Sequence, residues 1–151
     1  MRKIKTPEME VALARHFNYR LNVIVPNVSW GFGLNYEADL IIVTPLRYVT
    51  EIEIKVSLSD IKAEKKKRGF AHRGIYIRRF YFAVPYYLCD CEYIPNNCGL
   101  LSVDESLRVK SLRAPRHNSS AQKITDKQLN KLLHLGCMRI WTLKLAMASR
   151  R

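Results

Sequence analysis

The sequence lacks the features that would assign it to a membrane or a secretory class. Its most apolar run, FYFAVPYYLC, is too short to span a bilayer and is interrupted by Pro85. The N-terminus, MRKIKTPEMEV, has no apolar stretch of the kind that a signal peptide needs. No internal repeat or low-complexity run is present. These absences predict a soluble, cytoplasmic protein that does not bind membranes.

Cysteine is scarce, with four residues in 151, namely Cys89, Cys91, Cys98 and Cys137. Without a secretory signal, these residues are predicted to be reduced thiols rather than a disulfide framework. Three of them follow the pattern C-x-C-x6-C, which does not match the C-x2-C pairs of common zinc modules. A protein that uses its cysteines to hold a structural metal is therefore only a third hypothesis for function, and buried, unligated thiols are the alternative.

Acidic residues are also scarce: 13 Asp and Glu stand against 26 Lys and Arg, a formal net charge of +13. Such a balance favours a polyanionic partner, and DNA is the expected one. The basic residues concentrate in KAEKKKRGFAHRGIYIRR, where neutralisation of DNA phosphates, independent of base sequence, is the simplest use for them. A solvated helix face is the alternative. The predicted nucleic-acid-binding residues are Lys62, Lys65, Lys66, Lys67, Arg68, His72, Arg73, Arg78 and Arg79.

The length fits one domain, residues 1–151, and the order of predicted elements indicates an α/β fold. TPEMEVALARHFNYR is predicted to be a helix capped by Thr6, with Pro7 in its first turn. NVIVPNV, ADLIIVT and VTEIEIKV are predicted strands, the last two antiparallel because a short loop joins them. A lysine-rich helix capped by Ser59 follows.

The second half of the chain continues the same alternation. RRFYFAVP, CGLLSVD and LRVKSLRAP are predicted strands. The last segment, TDKQLNKLLHLGCMRIWTLKLAM, begins with a capping box formed by Thr125 and Gln128, and its leucines recur at helical spacing. Gly136 is predicted to divide this segment into two helices. The whole pattern predicts helices packed on a small central sheet.

The strand VTEIEIKV raises a chemical question, because Glu51, Glu53 and Lys55 share one of its two faces. If this strand pairs with ADLIIVT, then Asp39 at the start of that strand comes close to Glu53 and Lys55. A solvent-exposed strand face is the ordinary alternative. Buried together, the carboxylates would instead need a compensating cation, and Mg²⁺ prefers such oxygen ligands.

On these residues the chain resembles the PD-(D/E)xK nuclease superfamily, which has the restriction-endonuclease-like fold. EADLIIV is similar to the strand that supplies the superfamily's Asp, although Ala38 replaces the proline of the motif, and EIEIK is similar to its (D/E)-x-K strand. The resemblance covers residues 6–115 at most and implies an αβββαβ core with a mixed sheet flanked by helices. The C-terminal helical segment, about residues 124–148, lies outside it.

The resemblance also implies the roles of single residues. Asp39 and Glu53 would bind Mg²⁺ or Mn²⁺, with the carbonyl of Ile54 as a further ligand, and Lys55 would activate the attacking water. The glutamate contributed by the first helix would be Glu10, with Glu8 less favoured. The implied function is hydrolysis of DNA phosphodiester bonds in repair, recombination or phage DNA processing. It would take place in the cytoplasm of a bacterial or phage-infected cell.

A different class of function fits the same composition, because a basic protein can keep this fold and bind nucleic acid without cutting it. Cleavage of plasmid DNA with Mg²⁺ separates the two hypotheses. The structure of the DNA substrate stays open, since no residue is recognisable as reading base edges. Oligomeric state is open as well, although a concerted double-strand cut needs two active sites and so favours a homodimer.

Overall fold

A mixed β-sheet with helices on both faces forms the centre of the molecule, so the predicted α/β class is confirmed. The computed structural model describes residues 1–29, 34, 36–67 and 74–150, and for residues 65–67 only the backbone. Within these ranges one six-stranded sheet has the order β1-β2-β3-β4-β5-β6.

The elements follow the predicted order closely. The helices are α1 (Thr6–His16), α2 (Leu58–Lys67) and α3 (Asp126–Ala148), with a short 3-10 helix at Tyr86–Leu88. The strands are β1 (Val23–Val28), β2 (Ala38–Val43), β3 (Val49–Ile54), β4 (Ile77–Pro85), β5 (Gly99–Val103) and β6 (Val109–Arg113).

Strand direction divides the sheet into three parts. β1, β2 and β3 are antiparallel neighbours, β3, β4 and β5 are parallel, and β6 returns antiparallel to β5. The predicted antiparallel pairing of β2 with β3 is thus confirmed. Helix α2 lies in the connection between the parallel strands β3 and β4, as a crossover requires.

Each face of the sheet has its own hydrophobic core. On one face, Met9 and Leu13 of α1 pack with residues such as Ile52 of β3. On the other face, Leu132 and Leu135 of α3 pack against β1 and β2. Helix α2 covers the neighbouring part of that second face through Ile61, which lies against β4 and β5. Both faces of β3 are consequently covered, and all six of its residues are buried.

Two helix starts differ from the predicted ones by one or two residues. Lys5, not Thr6, occupies the N-cap of α1, and Glu8 accepts a 2.9 Å hydrogen bond from the Lys5 backbone N–H. In α2 the hydroxyl of Ser57, not Ser59, accepts from the backbone N–H of Asp60 at 3.2 Å. Both helices therefore begin one or two residues earlier than predicted.

The predicted division of the C-terminal segment at Gly136 is wrong. α3 is one helix of 23 residues that starts at the predicted Thr125–Gln128 capping box. Three leucines precede Gly136 within one turn and a half, and a single glycine in a helix costs only about 1 kcal/mol. A Cβ at this position would lie 3.4 Å from Val25 of β1, an ordinary contact distance, so the packing of α3 on β1 does not require a glycine here.

Candidate active site

The candidate site lies where β2 begins and β3 ends. The last pair of the β2–β3 ladder joins Leu40 to Ile52, so the next position along each strand brings Asp39 beside Glu53. The backbone N–H of Ile54 donates a hydrogen bond of 2.7 Å to Asp39 Oδ2. The structure thus brings Asp39, Glu53 and Ile54 together, as the alternation of charged and apolar residues predicts.

Lys55 follows β3 directly and is held on two sides. Its ammonium Nζ lies 2.7 Å from Glu53 Oε1 and 3.1 Å from Glu64 Oε2. Its backbone N–H donates to the carbonyl of Ala83 in β4 at 3.0 Å. Burial lowers the pKa of Lys55, but the charge and hydrogen bond of Glu53, together with Asp39 and Glu64, raise it above its ordinary value. At neutral pH the side chain is therefore a fixed positive charge and not a proton acceptor.

Glu53 is the most perturbed carboxyl group of the site. Its side chain is 2% exposed, and burial together with the charge of Asp39 raises its pKa to about 7, against an ordinary value of 4.5. Lys55 lowers this pKa and Glu64 raises it further. The near-complete burial shows that the solvent-exposed alternative for the ionic face of β3 is wrong. Glu53 instead titrates close to neutral pH.

Glu51 shares this buried face and is fully buried. The hydroxyl of Tyr36 donates a 2.7 Å hydrogen bond to Glu51 Oε2. This contact holds the Glu51 carboxylate on the same face of β3 as Glu53. Glu51 therefore lies next to the site along the strand, with its own phenol donor.

The two glutamates of α1 have different surroundings. Glu10 is partly buried, and its pKa is raised by burial and by the charge of Asp39. Glu8 forms an ion pair with Arg2 and accepts from the N-cap backbone, so it is used at the start of the helix. Of the two, Glu10 is the residue that lies within electrostatic range of the site.

Glu64 of α2 is a member of the cluster that the sequence pattern did not indicate. It is 4% exposed and contacts Lys55 from the side opposite β3. Glu64 lies three residues after the buried Ile61, so both point from α2 toward the sheet. The available signal was this spacing within SLSDIKAEKKK, where Glu64 stands among lysines. It could have been used only with the knowledge that the Ile61 face of α2 packs on the sheet.

The donor chemistry of the site suits a hard divalent cation. Asp39 and Glu53 offer carboxylate oxygens, and burial together with the charge of Asp39 raises the pKa of Glu53 to about 7, so a bound cation would favour its ionised form. Among the described residues, no group of three or more His, Cys, Asp or Glu side chains is arranged to hold a metal. A cation here would rely on one or two carboxylates, a backbone carbonyl and water, as Mg²⁺ commonly does.

The cysteines are not gathered into a metal-binding group in the described part of the chain. All four lie in the described ranges, where Cys98 is buried, Cys137 is exposed on α3, and Cys89 and Cys91 are intermediate. None belongs to a group of three potential ligands in that part of the chain. Cys98 packs in the core with Ile61 and Phe82, as expected for a small buried thiol.

The predicted DNA-binding residues divide between two parts of the molecule. Lys62 is exposed on α2, with its ammonium 4.7 Å from the ring centroid of Tyr93, and Lys65, Lys66 and Lys67 follow in the same helix. Arg68, His72 and Arg73 lie outside the described residues. Arg78 and Arg79 lie at the start of β4, where Arg79 pairs with Thr50 at the end of β3 away from Lys55. The two arginines are thus about 10 Å from the carboxylates along the strand.

Comparison with known proteins supports this architecture. The mixed sheet, its flanking helices and the C-terminal helix place the chain in the restriction-endonuclease-like fold class. The model of the family "DNA repair protein MmcB-like" matches residues 10–146, and the chain belongs to this family. No curated protein matches the chain.

A solved structure shows the same fold. It is a protein of unknown function from Silicibacter pomeroyi, 21% identical, with a TM-score of 0.63 over 97% of this chain and 94% of that one. In the described part of this chain, no helix is long and apolar enough to cross a membrane.

Proposed function

We propose that this protein is a Mg²⁺-dependent DNA nuclease of the PD-(D/E)xK type that acts in DNA repair. The observation that carries the proposal is the cluster of Asp39, Glu53 and Lys55 at the junction of β2 and β3, with one carboxyl pKa near 7. Perturbed groups of this kind concentrate at functional sites. Membership of a DNA repair family supplies the expected substrate, DNA.

In this proposal Asp39, Glu53 and the carbonyl of Ile54 hold Mg²⁺, for which Mn²⁺ can substitute. The bound ion would stabilise negative charge on the phosphate and favour deprotonation of water. Ile54 fixes Asp39 through its backbone N–H, and Glu10 supports the site from α1. If the Glu53 carboxylate moves to bind Mg²⁺, Glu64 still holds Lys55, because each of the two carboxylates has its own contact with the ammonium.

The permanent charge of Lys55 defines its part in the reaction. An ammonium with a raised pKa does not accept a proton from water at neutral pH. It can favour hydroxide formation nearby and offset the negative charge that develops on the phosphate. Lys55 would therefore act by electrostatic stabilisation and not as a general base.

DNA binding would follow from the positive charge of the molecule. The net charge of +13 supports attachment to phosphates, and Lys62 stands on the same helix as Glu64. Lys65, Lys66, Lys67, Arg68, His72 and Arg73 would extend this contact. Arg78 and Arg79, at the other end of the sheet, would contact a more distant part of the DNA or a separate ligand.

Helix α3 supports a homodimer. Its second half exposes large apolar side chains that the domain core does not use, namely Met138, Ile140, Trp141, Leu143, Leu145 and Met147. Ile140, Leu143 and Met147 recur at the spacing of a helix-pairing seam. A second copy of the chain could cover them and bring a second active site to the same DNA.

Cleavage assays on nicked, branched, duplex and single-stranded DNA test the nuclease activity. We expect cleavage of at least one of these substrates with Mg²⁺ or Mn²⁺, and none with EDTA. Lys55→Ala should abolish it, whereas Lys110→Ala, on exposed β6, removes the same charge and should retain it. Binding to DNA without cleavage under all metal conditions would favour the non-catalytic alternative. Equal activity in Lys55→Ala and the native protein would contradict the proposed site.

A further inference from the structure

A cavity of about 440 Å³ lies at the end of the sheet opposite the carboxylate cluster. The α1–β1 connection, the β2–β3 loop and the first residues of β3 and β4 form its walls. Thr50 lines the cavity, whereas Glu53 lies three residues further along the same strand and is not part of its lining. The cavity is therefore a separate feature from the candidate active site.

Part of the cavity wall is apolar and open to solvent. Leu21 and Leu46 are 64% and 68% exposed, and Pro45 also lines the cavity. Large aliphatic side chains that stay exposed around a concave surface are typical of a ligand-binding groove. These residues offer a flat or aliphatic group a place to bury its surface.

The opposite wall is cationic and aromatic. The guanidinium of Arg78 lies 3.7 Å from the ring centroid of Tyr48, and Arg78 Nε donates a 2.7 Å hydrogen bond to His117 Nε2. Desolvation and the charges of Arg78 and Arg79 lower the pKa of His117, which keeps it neutral and able to accept this bond. The Arg78 plane is thus fixed in position before any ligand arrives.

The charge of the lining has one sign. Arg78 and Arg79 are among the nine lining residues, and none of the nine is acidic. Arg79 is exposed. Guanidinium groups bind phosphate through paired hydrogen bonds and stack on planar rings. The volume exceeds what a bare phosphate needs and falls in the range of small-molecule sites.

We propose that this cavity binds a nucleoside phosphate, with the base against the leucines and the Arg78 guanidinium, which stacks on Tyr48, and the phosphate at Arg79. Planar bases stack on tyrosine and arginine in proteins that bind single strands. Asn22 and Thr50 add hydrogen-bonding groups to the lining. The ligand is either a free mononucleotide or the unpaired terminal nucleotide of a DNA strand, since the two share this chemistry. The site does not depend on nuclease activity.

Calorimetric titration of the full chain with three probes tests the proposal: dAMP, a short 5′-phosphorylated single-stranded oligonucleotide, and inorganic phosphate. We expect dAMP, the oligonucleotide or both to bind at least tenfold more tightly than inorganic phosphate. Binding of dAMP alone identifies a free nucleotide, and binding of the oligonucleotide alone identifies a strand end. Failure of both to bind more tightly than phosphate overturns the proposal.

Two variants with matched controls separate this site from general charge attraction. Arg79→Ala is compared with Lys110→Ala, and Leu46→Glu with Leu112→Glu, which lies on exposed β6. All four positions are on the surface, and unchanged melting temperatures will show that the variants are folded. The cavity variants should weaken binding of the preferred probe tenfold or more and the controls less than twofold. Equal losses in variant and control overturn the proposal, whereas Asp39→Ala should retain binding whatever its effect on DNA cleavage.

Discussion

The backbone N–H of Ile54 donates a hydrogen bond of 2.7 Å to the carboxylate of Asp39, across the two antiparallel strands that carry the candidate site. This bond joins the start of β2 to the end of β3, one residue before Lys55. Asp39 consequently has a structural role in addition to its proposed role as a metal ligand. Substitutions that separate the two roles are informative.

Asp39→Asn should fold like the native protein but lose metal-dependent cleavage by at least 100-fold, because the amide oxygen can accept the Ile54 bond but is a poor substitute for a charged ligand. Asp39→Ala also removes the bond and should lower the free energy of unfolding by about 1–2 kcal/mol. Urea denaturation and cleavage rates check both variants. Asp90→Ala, at an exposed turn, is the control and should change neither quantity. Undiminished cleavage by Asp39→Asn would refute the assignment.

Glu64→Gln should slow DNA cleavage about tenfold while DNA affinity stays within twofold. The reason is that Lys55 loses one of its two anionic contacts and is less firmly held when Glu53 binds a metal ion. Glu64→Asp should recover part of the rate. The distinguishing readout is the pH dependence of the cleavage rate. Because Glu64 raises the pKa of Glu53, its loss should lower that pKa and shift the profile to lower pH. A slower enzyme with an unmoved profile would indicate a merely structural role, and exposed Glu92→Gln serves as the control.

Glu53 should make the stability of the metal-free protein depend on pH. Its folded-state pKa of about 7 is above the unfolded value, so between about pH 4.5 and 7 the folded protein binds the proton more tightly. The contribution of Glu53 to the free energy of unfolding therefore falls as pH rises through this window, by about 3 kcal/mol. Chemical denaturation at pH 5 and pH 8 should show this fall as the difference between the native protein and Glu53→Gln. A constant difference would show that the pKa of Glu53 is not raised.

Mg²⁺ affinity should have the opposite dependence on pH, because only the ionised carboxylate binds the ion. Below pH 7 the affinity should rise about tenfold per pH unit, and above pH 7 it should level off. The increase in melting temperature on addition of Mg²⁺ measures this effect. Asp39→Asn should reduce the increase at every pH. An increase that is the same at pH 6 and pH 8 would exclude Glu53 as a ligand.

The exposed half of α3 should mediate dimerisation. Light scattering during size-exclusion chromatography should give a dimer mass at micromolar concentration, and Leu143→Glu or Trp141→Glu should give a monomer with an unchanged melting temperature. The unchanged stability is expected because both side chains are mostly exposed, 64% and 65%. Leu112→Glu adds the same charge on β6 and should remain dimeric. A native protein that is monomeric at 100 µM would rule out this interface.

The sequence predicted the central part of the site because that part depends on local rules. A short loop between two strand patterns requires an antiparallel pair, and the period of two places Glu53 and Lys55 on one face. These two constraints were sufficient to bring Asp39 to Glu53. The capping box at Thr125 and Gln128 was equally local and is present as predicted.

The sequence could not predict which elements cover that face. Alternation shows that Glu51 and Glu53 share a side of β3, but not that α2 and α3 pack against that side of the sheet and exclude water from both carboxylates. The raised pKa of Glu53 follows from this burial and was therefore not predictable. Gly136 is a similar case, because helix propensity alone does not show that α3 packs against β1 and stays continuous through the glycine.

Glu64 shows most clearly the difference between what the sequence indicates and what the tertiary structure decides. By itself, the sequence indicated the strands, the antiparallel pairing of β2 with β3 and the candidate residues Asp39, Glu53 and Lys55. Only the tertiary structure decided that a glutamate in a lysine-rich helix turns inward to contact Lys55, and that Arg78 and Arg79 lie at the far end of the sheet. The physical reason is that the pairing of two strands joined by a short loop depends on neighbouring residues. Burial, and the interaction of charges on different elements, depends on how those elements pack together.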